Sequence, residues 1–327
     1  MSRRQQWSPY AVPHIRDNFV RGASELVESS DLDAMRAASA GHHDESNEFY
    51  AVADYHERCT ETALDAELFW VAADMADIAL DASQDMPGLT EQDVRWPLGF
   101  MLFEKPLPPQ TTAAISAELR SHPLVAGLPD ELTAEVPIDG LLWCPEDGGV
   151  RIDVLVRASR IPELALRPGM TVTAYASARL PLPADFTDDG SFLGGAGTAP
   201  GPLFLGLAAF LGAAWHLMAM PAVARARDVQ PRTGESRAAE SVTVPVGQVR
   251  VVDARPMRTV PADPEETAGS EDGGRRYSAR WVVRGHWRQQ AHGPGRSQRR
   301  TQWIESYIKG PEDAPLAPHT LVRAWRR

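Results

Sequence analysis

The stretch TETALDAELFWVAADMADIALDA, residues 60–82, carries the clearest periodic signal in the first half of the chain. Leu64, Leu68, Val71, Met75 and Ile78 recur at steps of three and four residues, while Asp65, Asp74, Asp77 and Asp81 fall mostly on the other side. That spacing predicts one amphipathic helix over 60–82, with its aspartates as a solvated face. Strand-like segments follow: LGFMLFE (98–104), IDGLLWC (138–144), GVRIDVLVR (149–157) and MTVTAYASA (170–178), with CPEDGGVR as a hairpin-type turn. A helix laid over strands of this kind predicts an α+β fold, with helices packed on antiparallel sheets.

The second half repeats the order. After a Gly/Pro/Asp-rich stretch at 183–202 comes LFLGLAAFLGAAWHLMAM (203–220), eighteen residues without a formal charge. A membrane span needs about twenty such residues, and Gly206, Gly212, His216 and many alanines lower the hydrophobicity, so a buried core helix is expected. Then come VGQVRVVDA (246–254), YSARWVVRGHW (277–287), TQWIESYIKG (301–310) and TLVRAWRR (320–327). Between the first two, the acidic Pro/Gly-rich 254–274 reads as a mobile loop. Helix and then four strands thus occur at 60–178 and at 203–327. This raises the expectation of two such units, although they share no residue pattern. The expected organisation is an acidic α+β domain over 1–182, a linker or long loop over 183–202, and a helix-plus-sheet domain over 203–327.

Charge divides the chain in the same sense. Residues 275–327 hold twelve Arg or Lys against three Asp or Glu, a formal +9, so the −11 of the whole chain leaves −20 for residues 1–274. A basic end of this kind points to an anionic partner. The chain begins MSRRQQWSPYAVPHIRDNF with no apolar run after its arginines, and Cys59 and Cys144 form no CxxC pair. A cytoplasmic, reducing setting is the expectation.

Side chains alternate across a strand, which sorts the basic block into faces. In 279–288 one face carries Arg280, Val282, Arg284, His286 and Arg288; the other carries Ala279, Trp281, Val283, Gly285 and Trp287. In 301–309, Ile304 and Ile308 are expected inward, with Trp303, Glu305, Tyr307 and Lys309 outward; in 320–327, Arg323 and Trp325 are expected outward. The 203–220 helix is the expected cover of the apolar face. Arginines grip phosphates, and exposed aromatics give bases a surface to stack on. In the loop AHGPGRSQRR (291–300), Arg296, Arg299, Arg300 and the Ser297 hydroxyl are candidate phosphate donors, and Gly293 and Gly295 permit close backbone approach. The loop lacks the Lys-Ser/Thr ending of a P-loop. The candidate nucleic-acid contacts are therefore Arg280, Arg296, Ser297, Arg299, Arg300, Trp303, Lys309, Arg323 and Trp325.

A helix followed by a four-stranded sheet with His, Arg, Ser and Tyr on its open face resembles the barnase and RelE type of endoribonuclease over 203–327. The phrases VRGHWR, GPGRS and WIESYIKGPEDAPL also resemble a C-terminal block of uncharacterised actinobacterial and phage-associated proteins, which implies no function. The ribonuclease resemblance implies metal-independent attack of a 2′-hydroxyl on phosphate. His286 would then be general acid or base, Arg284, Arg288 and Arg296 would stabilise charge, and Tyr307 or His292 would complete the pair. No glutamate clearly joins this face; Glu305 is the one candidate. Elsewhere, HHDE (42–45) and HERC (56–59) do not complete four metal ligands, so no metal or cofactor is expected. Three readings follow: a nucleic-acid-binding protein, with RNA favoured by the exposed aromatics; a toxin-like endoribonuclease using His286; and a non-catalytic assembly protein whose basic sheet docks an acidic protein surface. Binding is favoured over catalysis because no full catalytic set is visible.

Overall fold

The computed structural model describes residues 7–27, 48–108, 137–160, 169–186, 202–230, 248–256, 258–259, 280–283, 285–304 and 306–310. The chain divides into two compact units, Met1–Ala254 and Arg255–Arg327. It is α+β, as expected. The expected boundary near 183–202 is replaced by one at 254/255, because the helix and the first strands assigned to the second domain belong to the first unit.

The first unit is built in the order α1 (Val12–Val27), α2 (Glu48–Asp65), β1 (Glu67–Val71), α3 (Ala73–Ser83), β2 (Gly99–Leu107), β3 (Ile138–Glu146), β4 (Gly149–Arg157), β5 (Val172–Pro181), α4 (Pro202–Met218), β6 (Ala224–Val229) and β7 (Val249–Ala254). One seven-stranded sheet runs β5-β4-β3-β2-β1-β7-β6. β1 is parallel to both β2 and β7, and the remaining neighbours are antiparallel. The sheet is therefore mixed rather than antiparallel. The two helix-plus-four-strand units are not present, since β6 and β7 complete the first sheet.

The single helix expected over 60–82 is a helix, a strand and a helix. Leu68 and Val71 fit a helical period by coincidence. ELFWV is a continuous run of large apolar residues, buried from Leu68 to Val71, as a parallel strand covered on both faces requires. Its alternation sorts the core. Leu68 and Trp70 join Phe100, Leu102, Leu142, Leu155, Val249 and Val251 in one cluster with Val12, Ile15 and Phe19 of α1 and Cys59 and Ala63 of α2. Phe69 faces the opposite way and contacts Trp143, with ring centroids 5.7 Å apart; Trp143 in turn meets Trp215 of α4 at 5.7 Å, and Phe103 meets Phe210 at 5.6 Å. Helix α4, expected as the cover of the C-terminal sheet, is thus a core element of the first unit. Its residues from Leu207 to Met218 are all buried, and at Gly212 the absence of a side chain leaves room for Leu89. Among the described residues, no helix is long and apolar enough to cross a membrane.

A polar clamp fixes the C-terminal half of α4. His216 Nε2 lies 3.2 Å from Asp93 Oδ1. The same carboxylate accepts hydrogen bonds from the Thr90 amide (2.8 Å) and hydroxyl (2.7 Å), which closes a capping box on the turn Glu91–Asp93. Burial alone would push the Asp93 carboxyl up, but the hydrogen bonds from His216 and Thr90, with the His216 charge, outweigh it and bring Asp93 from 3.8 to about 2. A carboxyl whose pKa is lower in the folded chain contributes stability above its unfolded pKa and loses that contribution as the pH falls to the folded value. Unfolding stability should therefore drop by on the order of 2 kcal/mol from this group as pH falls from about 4 to about 2. In Asp93→Asn that part of the acid limb should be missing, and denaturant titrations of the two proteins should converge near pH 2. Parallel curves across that window would contradict the assignment.

Candidate nucleic-acid interface

The second unit is organised around a two-stranded ribbon. β10 (His286–His292) and β11 (Gln298–Ile304) pair antiparallel from His286↔Ile304 to His292↔Gln298. β9 (Trp281–Val283) and β12 (Tyr307–Lys309) continue the same register, with Val283↔Tyr307 and Lys309↔Trp281, and β8 (Arg258–Thr259) adds in parallel to β12. The long strands expected over 277–287 and 301–310 are therefore interrupted near Gly285 and residue 306. The strand expected over 320–327, with Arg323 and Trp325, lies outside the described residues, as do Arg284, Glu305 and the 260–274 part of the acidic loop.

The ribbon closes through Gly293–Ser297. Gly293 (φ 76°), Gly295 (φ 63°) and Arg296 (φ 55°) take left-handed backbone, which explains the glycines flanking Pro294. The Arg296 amide donates to Gly293 O at 3.0 Å, and the Ser297 hydroxyl donates to Pro294 O at 3.0 Å. The Ser297 proton expected for a phosphate is thus held inside the turn.

Directly paired residues share a face. Trp287 and Trp303 are paired, and their rings meet edge-on with centroids 5.1 Å apart. Trp303 is only 3% exposed, so the outward, base-stacking role expected for it is corrected. Gly285 is the reason it can turn inward, since a Cβ there would overlap the Trp303 indole. Two indoles facing each other bury more apolar surface than Ile304, which is half-buried on the other face. Gln289 Nε2 donates to Thr301 Oγ1 (3.1 Å) on the tryptophan face, which Arg299 shares.

The opposite face carries His286, Arg288, Gln290 and His292 from β10, and Gln298, Arg300, Gln302 and Ile304 from β11. His286, Arg288, Arg296, Arg299 and Arg300 are exposed. Residues 285–304 contain no Asp or Glu. Arg280, Tyr307 and Lys309 are half-buried in or beside the β9–β12 part of the unit, and Arg280 and Lys309 are each already engaged in an interaction. The amides of Gln289, Gln290, Gln298 and Gln302 are the feature that the sequence reading passed over; the signal was their interleaving with arginine in WRQQ and SQRRTQW.

Chemically, the described residues offer an anion grip and do not assemble an acid–base pair. His286 and His292 share a face but stand six residues apart on one strand, about 20 Å at a rise of about 3.4 Å per residue. Tyr307 pairs with Val283 and not with a residue of β10. Among the described residues, no group of three or more His, Cys, Asp or Glu could hold a metal. Cys59 and Cys144 are buried free thiols of the first unit, and burial pushes the Cys144 thiol up against the opposing pull of Arg151.

A family model described as "AcrVA2-like: Anti-CRISPR type V subtype A2 family" matches residues 219–309. The matched stretch begins just after α4, takes in β6 and β7, and ends with β12. It falls on the C-terminal block whose phrases resembled other proteins. No curated protein and no solved structure matches the chain. The barnase and RelE resemblance therefore has no support, and the helix on which it was built belongs to the first unit.

The tryptophan pair over Gly285 should set the order of the ribbon. Gly285→Ala forces the Trp303 ring to move, so amide hydrogen exchange across 286–304 should accelerate at least tenfold. Protection of β1–β4 in the first unit should stay unchanged. Exchange in the ribbon equal to that of the parent chain would show that this contact does not hold it.

Proposed function

We propose that this chain is a non-catalytic binding protein whose ribbon, residues 286–304, grips the phosphate backbone of a nucleic acid. One observation carries the reading: four exposed arginines, Arg288, Arg296, Arg299 and Arg300, stand on a two-stranded element that holds no carboxylate of its own. Each arginine can displace a condensed counterion and donate in a fork to phosphate oxygens. The matching family is described as anti-CRISPR, type V subtype A2. On the proposed reading, this chain likewise acts against such a system, by occupying one of its binding surfaces rather than by cutting. His286 stands on the gripping face as a hydrogen-bonding side chain and not as a general base.

Binding of purified chain to labelled single-stranded and duplex nucleic acids over a salt series tests the proposal. The logarithm of affinity should fall linearly with the logarithm of salt. Arg288→Ala, Arg299→Ala and Arg300→Ala combined should lower that slope by about one to three, roughly one for each of them that contacts phosphate. His286→Ala should leave affinity and slope within twofold of the parent. Absence of binding to every nucleic acid at low salt would remove the proposal in favour of an acidic protein surface as the partner. An unchanged slope in the triple variant would remove this ribbon as the grip.

A further inference from the structure

We infer that the nucleic acid is duplex DNA, and that the ribbon enters its major groove with the His286 face toward the base edges. The inference rests on the proposed reading of 286–304 as a nucleic-acid grip and narrows it to one class of ligand.

Shape is the first argument. The ribbon has seven residues in each strand, about 23 Å of length at about 3.3 Å per residue. The major groove of B-form DNA, about 12 Å wide, admits a two-stranded ribbon, whereas the major groove of A-form RNA is too deep and narrow for side chains to read. A single strand would be recognised by stacking its bases on aromatic rings. The ribbon's tryptophans do not offer that platform: Trp303 is 3% exposed and Trp287 is packed against it.

The chemistry of the His286 face is the second. Three successive cross-strand pairs lie on it: Arg288 with Gln302, Gln290 with Arg300, and His292 with Gln298. Arginine reads guanine through O6 and N7, and glutamine reads adenine through N6 and N7, both from the major groove. Pairs on one face of an antiparallel ribbon recur every second residue, about 6.8 Å, which is two base steps of about 3.4 Å. The alternation thus sets an Arg or a Gln against every second base pair. Arg299 on the tryptophan face and Arg296 at the tip stand off this row, where the flanking phosphates would lie. Arginine alone would serve a backbone; the three glutamines on this face, Gln290, Gln298 and Gln302, supply paired donors and acceptors suited to base edges.

Fluorescence anisotropy with the full chain decides this. The probes are duplex DNA, duplex RNA, single-stranded DNA and single-stranded RNA of one sequence at equal salt, and the same duplex DNA with 7-deazaguanine and 7-deazaadenine in place of its purines. Duplex DNA should bind at least tenfold more tightly than the other three natural probes. Loss of the N7 acceptors should weaken binding about tenfold or more, with the salt slope unchanged. Gln290→Ala with Gln302→Ala should erase the sensitivity to 7-deazaadenine while keeping that to 7-deazaguanine and the slope, a split that a misfolded ribbon would not give. Tighter binding to either RNA, or to single-stranded DNA, with the same dependence on Arg288, Arg299 and Arg300, would overturn the duplex-DNA inference and leave the grip standing. Equal affinity for natural and deazapurine duplexes would overturn major-groove entry. Failure to bind any probe would remove both readings.

Discussion

The α3–α4 side of the first unit depends on one close approach, the indole of Trp143 lying over Gly99. The two residues are directly paired in β3 and β2, and any Cβ at Gly99 would occupy the space of the ring. With that space free, the indole crosses β2 to reach Phe69 on β1, its Nε1 donates to Trp96 O at 2.7 Å, and its other edge receives Trp215 of α4. One glycine thus joins three strands and a helix through a single aromatic group. The pull of such a group is its large buried area together with the tilted and edge-on contacts that its quadrupole favours.

Around this apolar centre, two buried carboxylates of the sheet are answered by arginines. Asp139 and Asp153 are fully buried. Asp139 accepts from two guanidinium nitrogens of Arg160, Nε and Nη2, at 3.0 Å each and from the Arg157 amide at 2.9 Å. Asp153 pairs with Arg151, whose second nitrogen donates to Thr62 on α2. Buried pairs of this kind add little net stability over well-packed apolar residues, but removal of one partner is costly because it strands the other charge. The Arg151 pair ties α2 to the sheet through Thr62, where the small residues Cys59 and Ala63 give no directional hold of their own, and the Asp139 pair ties β3 to the end of β4.

The sequence disclosed the strands β2 to β5 to within a few residues, because each is a run of apolar and β-branched residues bounded by turn residues. It hid β1, since ELFWV lies between two helices and extends their three- and four-residue spacing without a break. It hid the unit boundary for a different reason. β7 pairs parallel to β1 through Leu68↔Val249, a contact between residues far apart in sequence that no local pattern encodes. In the second unit, the charge and the turn at Gly293–Ser297 were plain, but alternation from Arg280 onward did not fix which face Trp303 would take. That choice follows from the cross-strand register and from the missing side chain at Gly285. Correcting it moves the site from aromatic stacking to arginine and glutamine.

The stretch matched by the family model, 219–309, does not coincide with either folded unit. Its first strands, β6 and β7, form only an antiparallel pair by themselves, and such a pair is marginal in water. Val249, Val251 and Val252 of β7 are at most 1% exposed, and that burial needs β1 alongside and helices on both faces. The ribbon is different in kind. Its described internal support is local, one tryptophan pair over a glycine and one register running through both of its ladders. The matched sequence thus joins an edge that only this sheet can complete to a ribbon carrying its own scaffold. Of the two, the ribbon is the part that sets arginines and glutamines in alternation on one face.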